Sequence, residues 1–540
     1  MNPTKRVAVV GAGISGLVAI KSLKEEGFYP VCFEKTSRLG GLWHYHEDDT
    51  KGVPSVMWCT SLNNSKEPGA LSDFPAKAES PNYMRHFQVL EMLQDYAFKF
   101  DLLKHINYNK EVVKIIRTAD YNMTGKWRVS VKDVDTEDIS EDIYDGVLIC
   151  AGHLSIENIP SFPFGTGSSA LDAAVEISHV AKQVYLSIRT PAWVTTRQGP
   201  YGYPIDWTIF NYDHLLIQKI LPTSWVSKIV EELYLNPRFS HSLYNIHPQR
   251  GVNDRDPTLN DGLPSRIMNG SLILKKNIEY FTKDGVVFED EGGKITQVDT
   301  VVLGTGYRWE FPFLQPEDFI AEGNKIHLYK CVFPPHLLHP TLGIIGFIVP
   351  LGPGVPCIEM QCRWASRVFS GKCKLPSQSL MIKDVDKQYR ENMKRFGELD
   401  TTYLHVDFIP YLDDLASKIG VKPNLLKLFF TDFWLFVACT FKVFVPYRYR
   451  LVGPHKWNGA KNAILSAGQR MRAPLQGKKA LQMDTSMNST KIYALLGFLV
   501  FAWYIKKKKI FSYENYLAIK RLYIIFKYVA INIVKHRKMF

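Results

Sequence analysis

Arg6-Val7-Ala8-Val9-Val10 runs straight into Gly11-Ala12-Gly13-Ile14-Ser15-Gly16, and Leu17, Val18, Ile20 and Leu23 then follow with helical spacing. The first five residues read as a buried parallel strand. A strand, a glycine turn and a helix in that order give G-x-G-x-x-G its physical meaning. Gly11 permits the tight turn, Gly13 leaves room for a pyrophosphate, and Gly16 lets the helix pack closely on the strand. The helix start then offers unpaired N–H groups and the positive end of its dipole to a phosphate. A plain structural turn is the alternative.

Pro30 to Glu34 reads as the next strand, and it ends on an acid. A carboxylate there accepts both ribose hydroxyls but repels a 2′-phosphate, which suits FAD or NAD better than NADP. Gly40, Gly41, Leu42 and Trp43 follow at once. An acid at a strand end with a Gly-Gly pair a few residues on is the pattern of flavoproteins that bind two dinucleotides.

The 540 residues are enough for two or three domains, and 46% hydrophobic with 22% charged residues is ordinary globular composition. The formal net charge of +13 is unevenly placed. Residues 491–540 carry eleven Lys or Arg against the single acid Glu514, so the body is nearly neutral and gives no support to nucleic-acid binding. Eight scattered cysteines without C-x-x-C argue for a reducing compartment and no metal site. The N-x-[ST] sequons at Asn63, Asn122, Asn269 and Asn488 read as chance, because the chain opens on a strand and not on a signal peptide.

Further along, Pro81 to Lys99 reads as a helix. Val112–Ile116, Trp127–Val131 and Tyr144–Cys150 read as strands. The last runs into Ala151-Gly152-His153, and a matching strand-to-glycine turn recurs at Val301–Tyr307. Two such crossings imply a discontinuous first domain with a second domain inserted between them.

The stretches V-A-V-V-G-A-G-I-S-G-L, F-E-K-x-x-x-x-G-G-L-W, N-N-S-K-E, D-T-V-V-L-G-T-G-Y with E-F-P-F-L, and R-L-V-G-P-x-x-W-N-G-A-K-N-A-I together resemble the animal flavin-containing monooxygenases over roughly residues 5 to 470. The resemblance implies FAD in the first domain, reduction by NADPH, and reaction with O2 to a C4a-hydroperoxyflavin. A soft nucleophile, a small lipophilic amine or sulfide, then takes the distal oxygen. The basic, apolar C-terminal tail is expected to hold the enzyme on the endoplasmic reticulum membrane, body facing the cytosol, by lying mostly in the interface, with a spanning hairpin as the rival. Asn63 matches the family's active-site asparagine, with a surface turn as its alternative. Thr305, between Gly304 and Gly306, matches the second interdomain linker.

The second dinucleotide unit departs from the family. Gly165 and Gly167 stand in a G-T-G-S-S-A turn before Leu171–Ile177, with Ala170 in place of the third glycine. Only Ser161-Phe162-Pro163-Phe164 separates Pro160 from Gly165, too short and too proline-bearing for a central strand. Against the family, a stretch of about 30 residues, the size of one βαβ step, is absent. Gln183–Ile188 reads as the next strand, and Arg189 at its end suits the 2′-phosphate of NADPH. Loss of a central strand predicts impaired NADPH use, whether the chain is a splicing or gene-model product or a naturally reduced form.

The fold expected is an α/β two-dinucleotide flavoprotein with C-terminal membrane-associated helices. The domains expected are 1–160 and 299–465 for FAD, 161–298 for NADPH, a polar linker over 466–490 and a membrane-associated tail over 491–540. Trp207, Trp225 and Tyr244 read as channel or core residues. Leu425–Val445 reads as a buried helix pair or a membrane-facing one. In the tail, Ile492–Ile505 is apolar but short of the roughly 20 residues of a full span, and Lys506–Lys509 follows it. Residues 510–534 mix aromatic, apolar and basic positions in the manner of an interfacial helix. The alternatives in function are a Baeyer–Villiger oxygenase acting on ketones and a silent FAD-binding protein.

Overall fold

The computed structural model describes residues 4–47, 52–159, 168–188, 190–212, 215, 221–254, 257–289, 291–319, 327–397 and 401–475. Two compact units emerge. One comprises Met1–Arg189, Gly262–Asn424 and Val445–Met471, and the other comprises Thr190–Asp261, Leu425–Phe444 and Arg472–Phe540.

The first unit is built on β1 (Arg6–Val10), α1 (Ile14–Glu25) and β2 (Tyr29–Phe33). Val7, Ala8 and Val9 are completely buried, as a strand covered on both faces must be. β3 (Ile106–Asn107) pairs with β2. The antiparallel meander of β4 (Lys110–Arg117), β5 (Trp127–Asp133) and β6 (Ile139–Tyr144) follows. β7 (Gly146–Ile149) then returns beside β1, and Leu342–Ile344 pairs with β7 from much later in the chain. The parallel sheet has the order Leu342–Ile344, β7, β1, β2, β3. Val112, Ile115, Trp127, Val129 and Val131 of the meander pack with Val10, Val147, Ile149, Phe311 and Phe347 into one core. The helix Gly354–Phe369 lies along α1.

A buried ionic cluster fastens the late segments to the early ones. Arg450, 1% exposed, donates from Nε to the Ser72 hydroxyl at 2.7 Å and from Nη2 to Asp73 at 2.9 Å and Glu359 at 3.1 Å. Its Nη1 reaches Glu25 at 3.3 Å, and Lys21 bridges Glu25 and Asp73. With the buried Arg363 included, three cations face three carboxylates. Burial alone would raise the pKa values of Glu25 and Asp73, but Arg450 and Lys21 hold both below the usual carboxylate range.

Several expected elements differ. The strand over Tyr144–Cys150 is divided at Asp145, whose carboxylate accepts the Arg6 amide at 2.8 Å. Val301–Tyr307 forms no strand: Val301, Val302 and Leu303 are irregular and exposed. A buried strand needs a neighbour, and among the described residues Val301–Leu303 has no strand partner. The expected linker from Ser466 begins instead as the continuation of a helix, Ala460–Arg472, because Ala460, Ala463, Ile464, Ala467 and Met471 place one buried stripe on it. Leu425–Val445 does contain two helices, Leu425–Thr431 and Phe433–Phe441. The first buries no residue, and only part of the second is buried. Among the described residues no helix is long and apolar enough to cross a membrane. The tail segments Ile492–Ile505, Lys506–Lys509 and 510–534 lie outside the described residues.

In the second unit, Trp193, Phe239, His241 and His247 form an aromatic knot. His241 is completely buried, and its Nε2 accepts the Val194 amide at 2.8 Å. Burial, aided by the neighbouring His247, pushes its pKa down to about 4. Tyr244 packs on Phe239, and Trp207 and Trp225 are half-buried.

Candidate functional site

The turn after β1 is shaped by what its glycines exclude. Gly11 has φ +96°, and a Cβ there would stand 2.8 Å from the Cys150 carbonyl oxygen. A Cβ on Gly16 would stand 1.9 Å from the Gly11 carbonyl oxygen. Gly13 is different: a Cβ would meet nothing closer than the Gly41 Cα at 3.7 Å. The second glycine turn therefore faces the first, with Gly40 at φ +112° and Gly41 at φ +56° leading into the short helix Gly41–Trp43. α1 begins at Gly13 with no side-chain cap and no acid in its first turn. That arrangement leaves its first amides to an anion.

Around these turns lies a cleft of about 480 Å3. Gly11, Gly13, Glu34, Gly40, Gly41, Leu42 and Trp43 all line it. Glu34, 6% exposed, stands just beyond β2. Its Oε2 accepts the Ala12 amide at 2.8 Å, and its Oε1 accepts the Thr36 amide at 2.9 Å and the Thr36 hydroxyl at 2.8 Å. These contacts fix the carboxylate beside the glycine turn and leave one acceptor site, on Oε2, for a ribose hydroxyl. An unobstructed helix start, two side-chain-free turns and a fixed acid fit a flavin dinucleotide.

The cleft lining also includes His153, to which no motif gave a role. His153 stacks on Trp309 with ring centroids 4.0 Å apart and planes inclined by 22°. Burial lowers its pKa to about 4, so the ring is neutral at physiological pH. Its placement was foreshadowed by the Ala151-Gly152-His153 turn at the end of β7.

Other expected residues stand elsewhere. Asn63 lies in an exposed bend and does not line the cleft. The buried part of N-N-S-K-E is its second half. Lys66 donates to the carbonyls of Ala78 and Ser80, both at 2.6 Å, and burial lowers its pKa to about 8. Glu67 receives the Tyr447 hydroxyl at 3.0 Å and the Arg470 Nε at 2.9 Å. Thr305 donates its hydroxyl to the Asn158 carbonyl at 2.6 Å, which clips it to the segment carrying the cleft residue Ile156. Gly165, Gly167 and Arg189 lie outside the described residues.

Comparison with known proteins accords with this geometry. The family model "FMO-like: Flavin-binding monooxygenase-like" matches in two pieces, residues 4–165 and 161–507. Human flavin-containing monooxygenase 5 is 39% identical over 516 residues, covering 90% of this chain and 96% of that protein. Dimethylaniline monooxygenase (N-oxide-forming) 2 of Rattus norvegicus is 38% identical over 534 residues, covering 93% and 99%. Among solved structures, S-allyl-L-cysteine S-oxygenase from Allium sativum superposes with a TM-score of 0.52 at 23% identity, covering 79% of this chain and 92% of that one. An oxidized steroid monooxygenase bound to NADP gives 0.54 at 15% identity, covering 77% and 97%. These two likenesses show the α/β flavoprotein monooxygenase fold. Family sequence along nearly the whole chain, on that fold and around that cleft, makes this protein a member of the flavin-containing monooxygenases, enzymes that work with FAD and NADPH.

Proposed function

We propose that the enzyme oxygenates soft nitrogen or sulfur atoms of small lipophilic molecules, with its use of NADPH weakened by the missing strand. Bound FAD, once reduced, supplies the oxygen chemistry. Gly11, Gly13, Gly41 and the start of α1 would hold its pyrophosphate, and Glu34 its ribose. What carries the substrate reading is the cleft itself. Of its charged side chains, Glu34 is held by Ala12 and Thr36, Lys110 by Asp133 and Lys35 by the Gly52 carbonyl, while Arg38, Glu111 and Glu310 also line it. The apolar lining residues Phe311, Phe313 and Ile156 support a lipophilic substrate. The N-oxide-forming relative supports nitrogen as one acceptor. Arg189 is proposed as the contact to the NADPH 2′-phosphate, with Gly165 and Gly167 at the pyrophosphate.

We further propose attachment to the endoplasmic reticulum membrane with the body in the cytosol. Leu426, Phe429, Phe430, Phe433 and Trp434 are exposed on the helix pair 425–441, and the basic tail offers charge for anionic headgroups. The test begins with purified protein. Yellow colour, slow bleaching by NADPH without oxygen, and oxygen transfer to an aryl methyl sulfide and a tertiary amine are expected. Conversion of a cyclic ketone to its ester with the sulfide untouched would overturn the proposal in favour of Baeyer–Villiger chemistry. Colour without any bleaching would reduce the protein to flavin binding.

A further inference from the structure

Lys330 and Cys331 are consecutive residues other than glycine with positive φ, +52° and +56°. Such a pair is strained and persists because its surroundings hold it. Two buried side chains grip its carbonyls. Tyr411, on the helix Phe408–Ile419, donates its hydroxyl to the Lys330 carbonyl at 2.7 Å. Gln361, on the helix Gly354–Phe369, is completely buried. Its Nε2 donates to the Cys331 carbonyl at 3.4 Å and to the Tyr411 hydroxyl oxygen at 2.9 Å. The Lys330 ammonium is anchored by Asp384 at 2.9 Å and Asp414 at 3.2 Å.

The other end of the Gln361 amide serves the cleft. Its Oε1 accepts the Gly346 amide at 2.9 Å. Gly346 lines the cleft just beyond the strand Leu342–Ile344 and has φ +78°. A Cβ there would stand 2.8 Å from the Ser15 hydroxyl at the start of α1. The His153 ring also hydrogen-bonds the Gly346 main chain. Only a primary amide serves all the partners of Gln361, because Gly346 needs an acceptor while the Cys331 carbonyl and the Tyr411 oxygen need donors. An apolar side chain of similar length would leave the Gly346 amide without that acceptor.

We propose that Gln361 is a positioning residue of the flavin site. It is not itself one of the cleft's lining residues. It sets the Gly346 wall against the start of α1 by tying it to the strained turn at Lys330–Cys331. A wall fixed before the cofactor arrives loses less freedom on binding. The inference rests on the reading that FAD fills this cleft.

The test follows FAD release from the full-length holoenzyme on dilution, read as the rise of flavin fluorescence, with hydrogen exchange at 344–348 as a second readout. Gln361→Met should weaken FAD binding about tenfold and speed exchange at Gly346. Tyr411→Phe should weaken it about threefold, and the double variant should be no weaker than Gln361→Met alone, because the two residues act in one network. Gln388→Met is the control. Gln388 donates to the Tyr403 carbonyl at 3.1 Å and to Cys331 Sγ at 3.8 Å, so its loss loosens the same turn without touching Gly346. FAD affinity should there stay within about twofold. Undiminished affinity in Gln361→Met, additive losses in the double variant, or an equal loss in Gln388→Met would overturn the proposal.

Should Gln361→Met fail to fold, Gln361→Glu decides. Burial raises the pKa values of Tyr411, Cys331 and Cys357 around it, and Asp384 and Asp414 raise that of Lys330 against the effect of burial. The new carboxyl is then the group of this network that titrates. As a neutral acid it accepts from Gly346 and donates to Cys331, and as an anion it faces that carbonyl without a proton. FAD affinity should fall at least about threefold more than in the unaltered enzyme between about pH 6 and pH 9. A slope equal to that of the unaltered enzyme would overturn the proposal. Gly13→Val separates the two readings. Flavin lost there but kept in Gln361→Met sinks the role of Gln361 alone, and flavin kept in Gly13→Val sinks the placement of FAD in the cleft.

Discussion

A side chain on Gly16 would collide with the Gly11 carbonyl, whereas one on Gly13 would project into the cleft with protein no nearer than 3.7 Å. The two glycines therefore separate folding from binding. Gly13→Val should yield folded protein that has lost its flavin, measured as absorbance near 450 nm per chain. Full flavin content in that variant would remove Gly13 from the pyrophosphate site. Gly16→Val should instead yield little soluble protein. A second residue-scale test concerns His241. Unfolded histidine binds a proton near pH 6.5, but buried His241 does so only near pH 4, and protonation would also break its bond to the Val194 amide. Between those values the unfolded chain holds more protons, so stability is fully present above pH 6.5 and is lost as pH falls towards 4. The loss is on the order of 3 kcal/mol for this group. His241→Gln should flatten the fall in melting temperature over that window. An unchanged slope would deny His241 that role.

At the scale of elements, the exposed helix Leu425–Thr431 and its neighbour are the clearest case for a surface role. Phe430 and Trp434 are 77 and 66% exposed, so replacing both with serine should change the melting temperature by no more than a degree or two. The double variant should lose about tenfold in binding to phosphatidylcholine vesicles containing phosphatidylserine, measured by co-sedimentation. Retention of full binding would shift the anchoring to the basic tail. What the sequence made legible here follows from the range of the forces. The strand–turn–helix at 6–25 is set by local pattern and glycine sterics, and the structure has it where the residues suggest. The fates of N-N-S-K-E and D-T-V-V-L are set by distant partners. Lys66 is buried because the carbonyls of 77–80 fold over it, and Val301–Leu303, apolar in pattern, is exposed and in no sheet.

At the scale of the whole molecule, the cluster around Arg450 joins α1, the loop at Ser72–Asp73, the helix carrying Glu359 and the last segment of the first unit. Removing the guanidinium would leave the buried Asp73 and Glu359 and the partly exposed Glu25 short of a cation, so Arg450→Met should destabilise by about 3–5 kcal/mol in urea, with little change in the slope of the transition. A smaller loss would mean that Lys21 and Arg363 suffice. Inserting the relative's missing segment before Gly165 should quicken NADPH-driven flavin reduction and lower hydrogen peroxide leakage. Unchanged kinetics would assign the gap no functional weight. The position of Arg450 also puts a clock on biosynthesis. The glycine turns leave the ribosome among the first residues, yet the cleft needs Phe311, Gly346 and Ile358, and its clasp needs residue 450. At roughly 5–20 residues per second, some 20–90 s pass between the first strand and its closure. Until Leu342–Ile344 and the helix Gly354–Phe369 are made, the sheet and α1 lack part of their cover. Newborn chains should therefore lean on chaperones, and flavin should enter only once the chain is nearly finished.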